Sequence, residues 1–70
     1  MRYLVVVEEG ATSFGAYVPD LPGCCAVGES REEALKLIED AIAFHLEGLR
    51  LEGNVIPVPH SSGELIEVAA

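Results

Sequence analysis

Ser30 followed by Glu33, at the head of an apolar period of three and four residues, constrains this chain more than any other feature. The pair is a capping box: hydroxyl and carboxylate satisfy amides that the first helical turn leaves without partners. Leu35, Ile38, Ile42, Leu46 and Leu49 then mark one face of a helix. Gly53 supplies the stop. The spacing predicts a helix over 31–52, about 33 Å long at 1.5 Å per residue. The chain has only 70 residues, so short flanking segments must supply the surface that this stripe covers.

Those segments read as strands. Arg2 to Glu8 has a β-branched centre at Val5, Val6 and Val7 and is apolar on both faces, with Tyr3, Val5 and Val7 on one and Leu4 and Val6 on the other. Glu9 to Ser13, with Gly10, fits a hairpin loop. Phe14 to Val18 alternates as a second, antiparallel strand. Pro19-Asp20-Leu21-Pro22-Gly23 is dense turn chemistry, with Asp20 expected to bond nearby backbone amides. Cys24 to Val27 is a short third strand that Gly28 ends. Beyond the helix, Val55 to Pro59 carries two prolines and reads as extended but unpaired. Leu65 to Ala69 reads as a final strand. The expected order is β-β-β-α-β, a two-layer α+β fold in which one helix packs on one face of the sheet, and residues 1–70 form a single unit.

Charge and apolar content bound the function. Twelve acids against four bases give a formal net charge of -8, the wrong sign for a free-standing nucleic-acid binder and one that suits a basic protein partner or simply solubility. No stretch approaches the roughly 20 apolar residues that span a bilayer. The N-terminus lacks a small-residue cleavage site, so a cytoplasmic location is expected, where Cys24 and Cys25 stay reduced.

The run Tyr17-Val18-Pro19-Asp20-Leu21-Pro22-Gly23-Cys24, then Gly28-Glu29-Ser30-Arg31-Glu32-Glu33-Ala34, resembles the signature of HicB-like antitoxins, and Glu52-Gly53-x-x-Ile56-Pro57-x-Pro59 extends the likeness. It covers nearly the whole chain, from Tyr3 to Glu67. The resemblance implies a partial ribonuclease H-like sheet of order 3-2-1-4, the last strand parallel to the first, with a right-handed crossover through the helix. It also implies a function: neutralising a small basic mRNA-cleaving toxin, HicA-like and of double-stranded-RNA-binding-domain fold. Many members carry a further DNA-binding domain. The 70 residues hold none, so direct promoter binding is not expected.

Placed at 100° per residue, Leu37, Phe44 and Leu51 fall opposite the main stripe, with Glu33, Asp40 and Glu47 in a row beside them. This outer strip is covered by the chain's own 54–59 segment, or is an intermolecular surface in which the acids steer a basic partner and the apolar residues anchor it, or is simply exposed, as single apolar residues often are. The sheet raises a parallel question. One helix covers one face, so either Tyr3, Val5 and Val7 or Leu4 and Val6 are left over, and a homodimer or higher homo-oligomer is expected to bury them. An orphan self-assembling unit with another client, or none, is the alternative, and an RNA-binding module is a weaker one.

Catalytic chemistry finds little footing. Adjacent cysteines in a strand point to opposite faces, so Cys24 and Cys25 do not share a metal ion; each is expected to be a buried small hydrophobe, and no metal or cofactor is expected. His45 sits at the edge of the main stripe as a packing residue, and His60 lies in a solvated loop. The early strands have no set of inward carboxylates such as a two-metal nuclease needs, and no enzyme is expected.

Overall fold

The computed structural model describes residues 1–69. Three short strands, β1 (Val6–Glu9), β2 (Phe14–Tyr17) and β3 (Cys25–Gly28), form an antiparallel sheet in the order β1-β2-β3, followed by one helix, α1 (Arg31–Leu51). The fold is α+β, as the pattern predicts. Val6 faces Tyr17, and Glu9 faces Phe14 across the first hairpin, closed by Gly10 N–H donating to Ser13 O at 2.7 Å. Phe14 in turn faces Gly28 on β3.

β1 is shorter than its sequence suggests, beginning at Val6 instead of Arg2. The reason lies in its neighbour. A residue at Val5 would pair with Val18, but there the second strand enters Pro19 and turns away, leaving 2–5 as an overhang. Two consecutive proline-led turns make that reversal. Leu21 N–H donates to Val18 O and Cys24 N–H to Leu21 O, both at 3.0 Å. Gly23 takes a φ of 84°, which a type II turn with Pro22 at its second position requires.

Ser30 caps α1, its Oγ accepting from Glu33 N–H at 3.0 Å. The reciprocal bond is displaced by one residue: Glu33 Oε1 accepts from Glu29 N–H at 2.7 Å. At the other end Asn54 N–H donates to Leu49 O and Gly53 N–H to Arg50 O, a Schellman closure around Gly53.

The core lies between helix and sheet. Ala16, Val18, Leu21, Cys24, Ala34 and Ile38 are buried, with Tyr3, Val5, Val7, Phe14, Ala26, Ala41, Ile42 and Leu46 packed against them. The contact face of α1 is therefore rotated from the expected stripe. Ile38, Ile42 and Leu46 serve as predicted, but Ala34 and Ala41 are added, while Leu35, 37% exposed, and the half-buried Leu49 lie outside the core set. The cause is the close approach of the helix start to β3. A Cβ on Gly28 would stand 2.6 Å from Ala34 N. Only small residues fit such a crossing.

The predicted strand over Leu65–Ala69 is not formed, so the fourth position of the 3-2-1-4 order is empty. After the helix, Ile56 and Pro57 run back over the sheet, where Tyr3 OH donates to Pro57 O. Asp20 then holds His60 and Ser61, and Gly63 passes Leu4. This route delivers the chain to the overhang of β1. Beyond Gly63, Leu65, Ile66 and Val68 stand in solvent.

Candidate partner-binding surface

The outer face of α1 is uncovered. Phe44 is 83% and Leu51 78% exposed, and Leu37 is also exposed. The 54–59 segment does not cover them: its path leads to Tyr3 and the sheet, and its own Val55 and Val58 are exposed. The strip lies along a helix of 21 residues, capped at both ends and anchored by Ala34 and Ile38. It is thus a rigid display.

The acids beside it are less free than the sequence suggests. Asp40 lies 3.5 Å from Lys36 Nζ, and Glu47 Oε2 accepts from Arg50 Nη1 at 2.9 Å. Both pairs are exposed and contribute little to stability. Glu33 is engaged in the helix cap. Helical spacing places the acids in a row, and the same spacing sets Lys36 four residues before Asp40 and Arg50 three residues after Glu47. A second acidic group escaped sequence reasoning. Glu9 pairs beside Phe14, which pairs beside Gly28, and Glu29, Glu32 and Glu33 follow. Strand register brings these residues to one end of the molecule, and the alternation within β1 and β2 was the only signal that could have placed them there.

The expected oligomer face divides in two. Tyr3, Val5 and Val7 pack against the core, so they are removed from that set. Leu4 and Val6 alternate to the open face of the sheet, where Val6 pairs beside Tyr17 and Tyr17 beside Cys25, with Val27 further along. Tyr17, Cys25 and Val27 are exposed, which makes this a second apolar surface.

Asp20 belongs to the fold by a longer reach than a local turn. Its buried carboxylate accepts from His60 N–H and Ser61 N–H, each at 2.9 Å, and from Ser61 Oγ–H at 2.6 Å. The Ser61 hydroxyl, the Ser61 and His60 amides and the nearby imidazole hold the Asp20 pKa down to about 2, against an ordinary 3.8. Ser, His and Asp meet here, but Asp20 bridges the other two. Ser61 Oγ donates to the carboxylate and not to the imidazole, so the arrangement does not activate a nucleophile. Its effect is mechanical: it ties the post-helix segment to the Pro19–Gly23 turn. Pro19, Asp20, Leu21, Pro22, Gly23 and Cys24 are thus a structural unit, with Leu21 and Cys24 in the core.

Cys24 is buried, but Cys25, expected to be buried as well, is exposed, because alternation turns it to the open face of the sheet that the helix does not cover. Burial first, and Cys25 second, push the Cys24 thiol pKa up. His45 is half-buried on α1, and the His60 ring is exposed. Among the described residues no three His, Cys, Asp or Glu side chains stand together as a metal site requires. No described helix is long and apolar enough to cross a membrane.

Residues 3–69 match the profile of HicB-like antitoxins of bacterial toxin–antitoxin systems. Among curated relatives, the antitoxin HicB 2 of Photorhabdus laumondii is 35% identical over 71 aligned residues, covering all of this chain and 51% of its own. An uncharacterised 14.9 kDa protein of Haemophilus phage HP1 is 33% identical over 81% of this chain and 43% of its own. A UPF0150 protein of Thermoplasma acidophilum is 34% identical over 81% of this chain and 84% of its own. The chain thus spans about half the length of the first two relatives.

Proposed function

The chain belongs to the HicB-like antitoxin family, and on that premise we propose that it is a protein-binding module that neutralises a small, basic, HicA-like mRNA-cleaving toxin. The observation that carries this reading is the uncovered outer strip of α1, with Phe44 83% exposed on a rigid, doubly capped helix. Leu37, Phe44 and Leu51 are the anchors. Asp40, Glu47 and, from its cap, Glu33 supply the field that draws in a basic partner, within a chain of net charge -8. Neutralisation is by occlusion: a bound acidic protein covers the toxin's RNA-binding surface, and no chemistry by this chain is needed. The module acts in the cytoplasm, where such a toxin meets its RNA. It self-associates, with Leu4 and Val6 on the open sheet face contributing to the buried surface. Direct DNA binding is not part of this reading.

The test is growth rescue. A basic toxin encoded beside this chain arrests growth when expressed alone, and co-expression of the chain relieves the arrest. Phe44→Asp with Leu51→Asp abolishes relief while leaving the circular dichroism spectrum unchanged. Relief that survives this double substitution removes the strip from the site. Failure of the wild-type chain to relieve the arrest overturns the reading.

A further inference from the structure

Nothing within the chain accounts for the glycine inside α1, and we infer that the partner does: a basic α-helix of the bound protein lies along the Leu37–Leu51 flank and comes closest at Gly48. The inference rests on the reading that this strip takes a basic partner, and it adds the form of the element that docks there. Gly48 lies within α1, where glycine is the poorest residue apart from proline. Two reasons keep a glycine in such a place, and neither applies. The glycines with positive φ are Gly23 and Gly53. Crowding holds at Gly28, where a Cβ would stand 2.6 Å from Ala34 N, but nothing lies within 4 Å of the Cβ position on Gly48. The free chain gains nothing from the missing side chain. What its absence leaves room for is the close approach of another molecule.

The surroundings of Gly48 give that molecule its form. Leu37, Ala41, Phe44, Gly48 and Leu51 succeed one another at steps of four, three, four and three residues, a heptad spacing. The large members are exposed, and the small ones, Ala41 and Gly48, are half-buried. At 100° per residue Phe44 stands about 80° from Ala34 and about 120° from Ile38, so the stripe follows a flank of α1, with Ala41 and Gly48 on its core side. A seam that repeats every seven residues drifts by about 20° per heptad on a straight helix. The element that follows such a drift is a second helix at a shallow, left-handed crossing. Large residues alternating with small ones give it knobs to straddle and a floor to rest on. With hydrogen alone at Gly48, the two axes approach the near end of the usual range of about 8–10 Å. From Leu37 to Leu51 the seam runs about 21 Å, the length of roughly four helical turns.

Charge selects the occupant. Asp40 and Glu47 run beside the stripe at the same interval of seven, continuing the row from Glu33. Their ion pairs with Lys36 and Arg50 are exposed, and a partner's bases displace them at little cost. A second copy of this chain is the wrong match. It brings another net charge of -8, and antiparallel contact along the seam sets Asp40 beside Asp40 and Glu33 beside Glu47. The docked helix therefore carries its own apolar seam, with Lys or Arg on the side that faces Asp40 and Glu47.

The test uses the full 70-residue chain and the purified basic toxin encoded beside it, with Kd read by titration calorimetry. Gly48→Ala is expected to weaken binding about tenfold, although it raises the Tm of the free chain, and Gly48→Leu to weaken it about a hundredfold. Ala43→Leu adds bulk about 140° round the helix from Gly48 and leaves Kd unchanged. Leu37, Phe44 and Leu51, each replaced in turn by photoreactive p-benzoylphenylalanine, cross-link to toxin residues spaced three, four or seven apart in one helix. A Gly48→Leu chain that binds like the wild type overturns the inference, as does an Ala43→Leu chain weakened to the same degree. Cross-links that fall on a strand, on scattered loops or on a second copy of this chain overturn it as well. If Phe44→Asp with Leu51→Asp abolishes binding while Gly48→Leu does not, the docked helix alone is refuted. Binding that survives the Asp pair refutes the reading of the strip and this inference with it.

Discussion

Gly28→Ala strikes the contact on which the two layers depend. A methyl group at this position would stand 2.6 Å from Ala34 N, 3.0 Å from Glu33 C and 3.1 Å from Ala34 Cα. All three are backbone atoms in the first turn of α1, so no side chain can swing aside. The helix start must retreat, and with it Ala34 and Ile38, both in the core. Overpacking of this kind costs about 1–3 kcal/mol. Unfolding entropy near 2.1 cal/mol/K per residue makes about 150 cal/mol/K for this chain, so Tm should fall by roughly 7–20 °C. The assay is thermal unfolding followed by circular dichroism, at one fixed protein concentration because self-association shifts Tm. Gly48→Ala is the internal control. It lies in the same helix with nothing within 4 Å of its Cβ position, and losing a helical glycine there stabilises by about 0.8–1 kcal/mol. The two Gly→Ala changes therefore move Tm in opposite directions. A Gly28→Ala chain that melts at or above the wild type refutes the close crossing and the core built on it.

Ile38→Ala removes the larger of the two buried helical side chains, and chemical denaturation should show a loss of about 2–5 kcal/mol, a large part of what a chain this small holds. Asp20→Asn weakens the clasp on the post-helix segment, so amide exchange at His60 and Ser61 should accelerate while that of the Phe14–Tyr17 strand changes much less. Because folding lowers the Asp20 pKa from 3.8 to about 2, its contribution is present above pH 4 and is lost as pH falls from about 4 to about 2. Acid titration of the Asp20→Asn chain should lack that component; an acid transition identical to the wild type's would contradict the assignment. Asp40→Lys with Glu47→Lys, leaving the Glu33 cap in place, should slow toxin association several-fold at low salt and little at high salt, read by stopped-flow.

Local chemistry made the helix legible. Ser30, Glu33 and Gly53 each bond a group within four residues of themselves, and the ends of α1 fall within a residue of their expected places. The Pro19–Gly23 turn and the alternation of Cys24 and Cys25 were readable for the same reason. The misreadings concern distant partners. Asp20 is held by residues 40 and 41 positions away, which spacing cannot reveal. The rotation of α1 toward Ala34 follows from its approach to Gly28, and alanine carries a weak periodic signal beside Leu35. Leu65–Ala69 has the composition of a strand but lacks a neighbour, and composition does not supply one. As for the candidate site, the outer strip followed from helical angle alone. Whether the 54–59 segment covered it depended on a tertiary path set by Tyr3 and Pro57.

The most direct test of the central claim is intact-mass analysis of the tagged chain captured gently from its native cell, beside a Phe44→Asp/Leu51→Asp control. The account predicts a stoichiometric small basic protein on the wild type and none on the control. A wild-type chain that elutes alone, or that retains the same partner after both substitutions, contradicts it.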